Sequence, residues 1–520
     1  MYDLLVRGGK VIDGTGGPWQ RADVAIRGDR IVGVGRFRPS EAGRVVDVDG
    51  LWLVPGLIDA HVHSDILLLT DPEVAEASLR QGVTAHIVGQ DGISYAPASE
   101  PTMAFFRDYL AGLDGDPRGF RYDWRTVGEY LARFDGATPL NVACLVPHGN
   151  VRMEAMGGCF DRPPDEAELR RMQELVAEGL AQGAVGVSTG LIYLPCRYAD
   201  VRELAAVAAP AAAWGLPLVA HIRTYVPGQV FGALEEMWTV ARQTGGPVHV
   251  SHFNGVADEL LPAVDSARAD GIDVTFDSYP YLAGATLLVT LLPDWVTAGG
   301  LDAARQRLRD PELRQALTAF LDSPARRWEL VRLNGISHPA YAVFEGVTPL
   351  EAARRVQQPV GEFLLALLEA EDLHVGMVQQ HDWRTEADLR RIMAHPAHMG
   401  CSDGIYVGAR PHPRGWGAFA RFLAAYAREE GILPLEEMVR HLSSAAARRF
   451  GLWDRGMIRP GCAADLCALD LAALRDLATF DYGRRFASGV VHVWVNGRAA
   501  LFDGRLTGDT PGQALRCQRA

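Results

Sequence analysis

Lysine is almost missing from this chain. Lys10 is the single lysine among 51 basic residues, and the others are arginines. A Schiff-base lysine, a phosphate-loop lysine and a carboxylated lysine shared by two metals each need a lysine inside a site, and Lys10 falls in the first strand-like segment. Long apolar runs are lacking too. The alanine-rich stretch 205–220 is broken by Pro210 and Pro217, well short of the ~18 apolar residues that a spanning helix needs. Residues 1–11 carry no basic region ahead of a sustained apolar stretch, so no secretory signal is expected. The seven cysteines are odd in number and scattered, which suits reduced thiols in a cytoplasmic protein better than a disulfide framework. A net charge of −13 with dispersed arginines argues against sequence-independent nucleic-acid binding.

What is present is a globular composition, 48% hydrophobic and 22% charged over 520 residues, which excludes disordered and fibrous classes. Residues 2–48 read as short alternating strands with turns at Asp13-Gly14 and Gly28-Asp29. From Leu51 onward apolar strands alternate with amphipathic helices, as in 140–146, 166–182, 185–188, 201–213, 217–220 and 234–243. Such alternation implies a parallel sheet covered by helices. Sustained over about 360 residues, it predicts a (β/α)₈ TIM-type barrel rather than an open sheet. Strand-like pieces return at 464–469, 490–495 and 499–501, with turn signals at Asn496-Gly497 and Asp503-Gly504. They are expected to join the N-terminal strands in a composite β-sandwich. The expected organisation is therefore 1–54 for the first part of the sandwich, 55–445 for the barrel with an arginine-rich insertion over about 294–346, and 446–520 for the rest of the sandwich and a tail.

One strand exit stands out. His61-Val62-His63 ends an apolar strand, and residues i and i+2 share a face, as two ligands of one metal require. The plain alternative is two polar residues at a strand end. His221 follows the strand 218–220, His252 follows 248–251, and Asp403 stands in Gly400-Cys401-Ser402-Asp403-Gly404 after a final barrel strand. Four histidines and a carboxylate on successive strand ends suit zinc or another borderline divalent ion. The alternative for Asp403 is a helix N-cap. His249 shares a face with Ser251 rather than with His252 and is read as structural.

These features resemble the amidohydrolase superfamily, and several phrases resemble its N-acyl-D-amino-acid deacylases, the D-aminoacylases. Among them are Val88-Gly89-Gln90-Asp91-Gly92, His148-Gly149-Asn150, Gly186-Val187-Ser188-Thr189-Gly190, Tyr279-Pro280-Tyr281, Ser402-Asp403-Gly404 and His412-Pro413-Arg414. The similarity runs over nearly the whole chain. It implies a barrel plus sandwich holding one or two Zn²⁺ ions through His61, His63, His221, His252 and Asp403. The family's remaining ligand is usually a cysteine, and Asp91 stands in its place. A carboxylate is a harder donor than a thiolate and can bridge two ions; the plain alternative is that Asp91-Gly92 only forms a turn.

The activity implied is metal-dependent hydrolysis of a linear amide, with an N-acyl-D-amino acid or a modified relative as substrate. Bound metal would bring the pKa of its water towards ~7. Asp403 would take the water's proton and return it to the departing amine. The family's carboxylate clamp consists of arginine, tyrosine, serine and lysine. Arg414 and Tyr281 match two of these, while Asn254 stands for the lysine and Ala285 for the serine. Each lost charge-assisted contact costs roughly 1.5–3 kcal/mol if nothing replaces it. Tyr193, Arg223 and His148 are further pocket candidates, each equally readable as hydrogen-bonded scaffold. Trp214, Trp238 and Trp295 read as core, Glu235-Glu236 as a solvated helix face, and His381-Asp382 and His395 as outside the site. One rival is a cyclic-amide hydrolase of the hydantoinase or dihydroorotase type, which commonly uses a bridging lysine that this chain cannot supply. Another is a non-catalytic barrel scaffold, which would tend to lose metal ligands. The expected partner is a small-molecule N-acyl amine or amino acid, with no nucleic acid and no membrane; a homo-oligomer is left open.

Overall fold

Aliphatic runs such as Val83–Val88, buried at all six positions, offer no polar face to water and must be covered on both sides. The computed structural model, which describes residues 1–517, meets that need with eight parallel segments. They are Leu57–Asp59, Val83–Val88, Asn141–Cys144, Val187–Gly190, Leu218–His221, Val248–Val250, Val274–Ser278 and His398–Gly400. Neighbours pair in that order, with Val88 opposite Cys144, Gly190 opposite His221 and Ser278 opposite Gly400. Asn141–Cys144 reaches its next neighbour through Val146–Pro147, which pairs with Val187–Gly190. The ring is joined where the extensions of the first and last strands, Val62–His63 and Gly404–Ile405, run in parallel. Helices such as Glu166–Ala181 and Val201–Ala212 cover it, their N-termini capped by the side chains of Asp165 and Asp200. This is a (β/α)₈ TIM-type barrel.

The two ends of the chain meet in a second sheet. Trp52–Pro55 pairs antiparallel with Leu466–Leu469, Leu53 opposite Ala468, and the resulting sheet has nine strands. Its own core holds Leu4, Val6, Val24, Ile26, Leu466 and Trp494. Strands from both ends of the chain share this core, and those expected in the composite sandwich are hydrogen-bonded edge to edge in this sheet. Lys10 lies there with Nζ 5.2 Å from the Trp52 ring. The last three residues of the expected segment 446–520 lie outside the described residues.

The insertion is larger than 294–346. Between Val274–Ser278 and His398–Gly400 the chain leaves the ring to build an antiparallel sheet of Ala283–Leu287, Val331–Asn334 and Gly376–Gln380, with helices such as Leu301–Arg309 and Val360–Ala370. Its strands are short and partly apolar, so they read locally like barrel strands; only their antiparallel pairing sets them apart. Among the described residues Cys144, Cys159, Cys196, Cys401, Cys462 and Cys467 form no disulfide, and no helix is long and apolar enough to cross a membrane.

Candidate metal centre and cavity

Barrel strands deliver their functional side chains where they end, and six such side chains converge here, all buried. Asp91 lies between the others. Its Oδ1 is 3.6 Å from His61 Nε2 and 3.8 Å from His252 Nε2; its Oδ2 is 3.6 Å from His63 Nε2 and 3.5 Å from His221 Nδ1. Asp403 Oδ1 is 3.7 Å from His61 Nε2 and 3.4 Å from His63 Nε2. Most of these separations are too long for hydrogen bonds. They match ligand atoms that share an ion, because two donors ~2.1 Å from one tetrahedral zinc stand about 3.4 Å apart. Both ring nitrogens of His61, Asp91 Oδ1 and His221 Nδ1 are buried with no hydrogen-bond partner among the described residues. Such orphaned donors and acceptors are costly, and a divalent ion fits this set of nitrogens and carboxylate oxygens.

The backbone is held in unusual conformations to achieve this. Asp91, His252 and Asp403 have φ of +56°, +31° and +48°, a region that costs a non-glycine residue about 1–3 kcal/mol. Each is pinned. Asp403 N donates to His61 O at 2.8 Å, and Ser402 donates its N–H to Asp59 Oδ1 at 2.8 Å and its hydroxyl to Asp59 Oδ2. His252 N donates to Asp277 Oδ1 at 2.7 Å. Gln90 Nε2 donates to the carbonyls of Ala60 and Ile87, both at 2.9 Å. Gly190 permits the Asp91 turn, since a Cβ there would lie 2.2 Å from Asp91 O. Gln90–Gly92 is thus a turn, as its sequence allowed, and the Asp91 carboxylate faces the histidines as well.

Charges reinforce one another. Burial would lower the His61 pKa, but the carboxylates of Asp91, Asp277 and Asp403 lift it to about 9. Burial and the neighbouring His252 push His221 down to about 4. Burial would raise Asp403, yet the Arg414 guanidinium and His63 hold it at about 2. Asp91 is likewise held well below the usual carboxylate range, against burial, by His61 and His221.

A cavity of about 320 Å³ opens beside this cluster. Tyr193, Asn254 and Arg414 line it, together with apolar residues such as Leu113, Ile192 and Met377. Arg414 Nη1 lies 2.7 Å from Asp403 Oδ2, and Nη2 donates to Ala285 O at 3.2 Å. Tyr193 Oη shares a 2.9 Å hydrogen bond with Thr286 Oγ1.

Two expected substrate residues are not on this wall. Tyr281 donates its hydroxyl to Asp476 Oδ2 at 2.9 Å, and Tyr279 faces the cavity instead. The strand ends at Ser278, and a tight turn with Tyr281 N bonded to Tyr279 O at 3.0 Å swings the second ring away. Arg223 binds Glu236 at 2.9 Å and donates to Arg197 O at 2.9 Å, tying a loop to the helix Val230–Thr244. Glu236 is therefore a partner rather than part of a solvated face. His148 is bonded to Glu203 at 2.7 Å and to Thr189 at 3.0 Å, away from the cavity wall. His381, read from sequence as outside the site, lines the cavity with Trp383, and Trp295 is exposed rather than core.

The model of the amidohydrolase family matches residues 44–500. The chain belongs to this family. It is 35% identical to the N-acyl-D-glutamate deacylase of Alcaligenes xylosoxydans xylosoxydans over 99% of this chain and 96% of that one. It is 33% identical to a D-aminoacylase of the same organism, covering 99% and 97% of the two chains. A crystal structure of N-acyl-D-glutamate deacylase from Bordetella bronchiseptica, with zinc and a phosphonate mimic of the tetrahedral intermediate, matches with a TM-score of 0.84 at 30% identity over 99% of each chain.

This amidohydrolase supports its candidate ligands with residues that sequence reasoning missed. Asp277 Oδ2 takes a hydrogen bond from His249 Nε2 at 2.7 Å and lies 3.7 Å from His61 Nδ1, while Oδ1 holds the His252 backbone. Burial would raise Asp277, but His249 and His61 keep it well below the carboxylate range. Its carboxylate faces Nδ1 of His61 while Nε2 faces the cluster, the placement an outer carboxylate takes beside a metal-ligating histidine. The available signal was a lone aspartate in the strand Val274–Ser278, which is buried around it.

Proposed function

We propose that this amidohydrolase is a zinc-dependent deacylase of linear N-acyl amino acids, with N-acyl-D-amino acids as the leading class. The reading is carried by one observation: six buried ligand side chains, several with no hydrogen-bond partner among the described residues, meet at the edge of a cavity that also contains a guanidinium. His61, His63, Asp91, His221, His252 and Asp403 would hold the ion. The two oxygens of Asp91 face different histidine pairs, which accommodates one or two ions. When bound, zinc supplies Lewis acidity to a carbonyl oxygen and to a water.

The chain's own groups do the rest. Asp403, a carboxylate at neutral pH, accepts a proton from the attacking water at Oδ and delivers it to the amine nitrogen as the C–N bond breaks. Arg414 orients Asp403 and offers charge to a substrate carboxylate, its Nε having no hydrogen-bond partner among the described residues. The apolar wall excludes water and accepts an acyl or side-chain group. A cytoplasmic location belongs to the same reading, supported by buried thiols such as those of Cys144 and Cys401. A panel of N-acyl D- and L-amino acids, their amides and hydantoins tests it. The zinc-loaded protein should cleave the N-acyl-D-amino acids and lose that activity on chelation. Cleavage of hydantoins alone would transfer the site to the cyclic-amide rival, and no amide turnover would end the proposal.

Loading should depend on pH in a stated direction. In the metal-free chain His61 carries a proton up to a pKa of about 9, whereas zinc requires the neutral ring. Binding at pH 7 should therefore expel about one proton, and affinity should climb as pH rises toward that value. Calorimetry in two buffers of different ionisation enthalpy reads the proton directly, and a pH-independent affinity would contradict the ligand role of His61.

A further inference from the structure

Arg384 is 3% exposed, and none of the ion pairs among the described residues includes it. Its Nη2 donates to Tyr281 O, while Nε and Nη1 have no hydrogen-bond partner among the described residues. The acid two positions on, Glu386, accepts from Tyr426 Oη at 3.0 Å. Keeping a guanidinium charged in such a place is costly unless an anion arrives to answer it. The anion can come from the cavity. Arg384 lies behind the wall: it follows Trp383, which lines the cavity, and its Cζ lies 5.9 Å from the centroid of the ring of Tyr279, which lines it too. Arg414 Cζ lies 4.7 Å from the same ring.

Tyr279 stands at this junction. Its oxygen accepts a 2.6 Å hydrogen bond from Asn254 Nδ2, which leaves its own proton free to be donated. Space beside the hydroxyl is kept by Gly284, where a Cβ would come within 3.2 Å of Tyr279 Oη and 3.5 Å of His381 Nε2. We propose that Arg384 is a positioning residue that acts through Tyr279 to make this end of the cavity select a free substrate carboxylate, supplying the positive charge that Asn254 does not. The proposal rests on the deacylase reading for the identity of the substrate. Arg414 is then the direct ionic partner, and the Tyr279 hydroxyl, with the Arg384 guanidinium over its ring and Asn254 on its oxygen, is the neutral one. The class selected is N-acyl amino acids with an ionised carboxylate, over their carboxamides.

The test compares full-length, zinc-loaded wild type, Arg384→Met and Arg384→Lys on a matched pair, an N-acetyl-D-amino acid and its carboxamide. Arg384→Met should raise KM for the acid about tenfold and leave KM for the carboxamide and both kcat values within about twofold. Arg384→Lys, which keeps the charge, should recover most of the discrimination. Equal rises in KM for acid and carboxamide, or a fall in kcat with both, would overturn the proposal. Calorimetric binding of the acid separates this claim from the deacylase reading. If wild type cleaves neither compound, the deacylase reading falls. Binding about tenfold weaker in Arg384→Met would still support the role of Arg384, and equal binding would refute it.

Discussion

Asp403→Asn should lower kcat by about 10²–10⁴-fold, the contribution of a positioned general acid–base group, while the fold and most of the bound zinc remain. The amide is close in shape to the carboxylate and can still accept at Oδ1, so the contacts to His61 and His63 are preserved in outline. The backbone anchors are untouched, because Asp403 N still reaches His61 O and Asp59 still holds Ser402. What disappears is the ability to take and return a proton. Stopped assays on zinc-loaded variant and wild type, with zinc content measured on the same samples, read the effect. A variant that turns over near the wild-type rate would remove Asp403 as the base.

Asp277→Asn should weaken zinc binding by about 10–100-fold, the usual consequence of losing an outer carboxylate that orients a ligating histidine. Oδ1 can still accept the His252 N–H, so the strand exit keeps its path. On the Oδ2 side, a neutral amide would replace the carboxylate that faces His61 Nδ1 and His249 Nε2. His61 would lose the negative charge that stands 3.7 Å from its Nδ1. Competition against a chromogenic chelator gives the affinity, and kcat at saturating zinc should return most of the way to wild type. A fall in Tm with zinc affinity unchanged would make Asp277 a packing residue only.

The contrast between these two aspartates shows what the sequence can carry. Asp403 was legible because it follows a recognisable last strand in a phrase shared with a known family. His61 and His63 were legible because their spacing is a property of a single strand. Asp277 was not, since its role lies in contacts to His61, His249 and His252, which other strands bring to it. The barrel itself followed from strand and helix periodicity. The antiparallel sheet inside the insertion did not, because its pairing partners are separated by dozens of residues and nothing local distinguishes antiparallel from parallel neighbours. Tyr281 and Tyr279 make the same point at small scale: both rings follow one strand, and a turn decides which of them meets the substrate.

The decisive measurement is anomalous diffraction at the zinc edge from crystals grown with zinc. The account predicts one or two peaks enclosed by His61, His63, Asp91, His221, His252 and Asp403, with Asp91 in contact with every ion present. Zinc bound elsewhere, or this cluster empty while the protein hydrolyses its substrate, would contradict it.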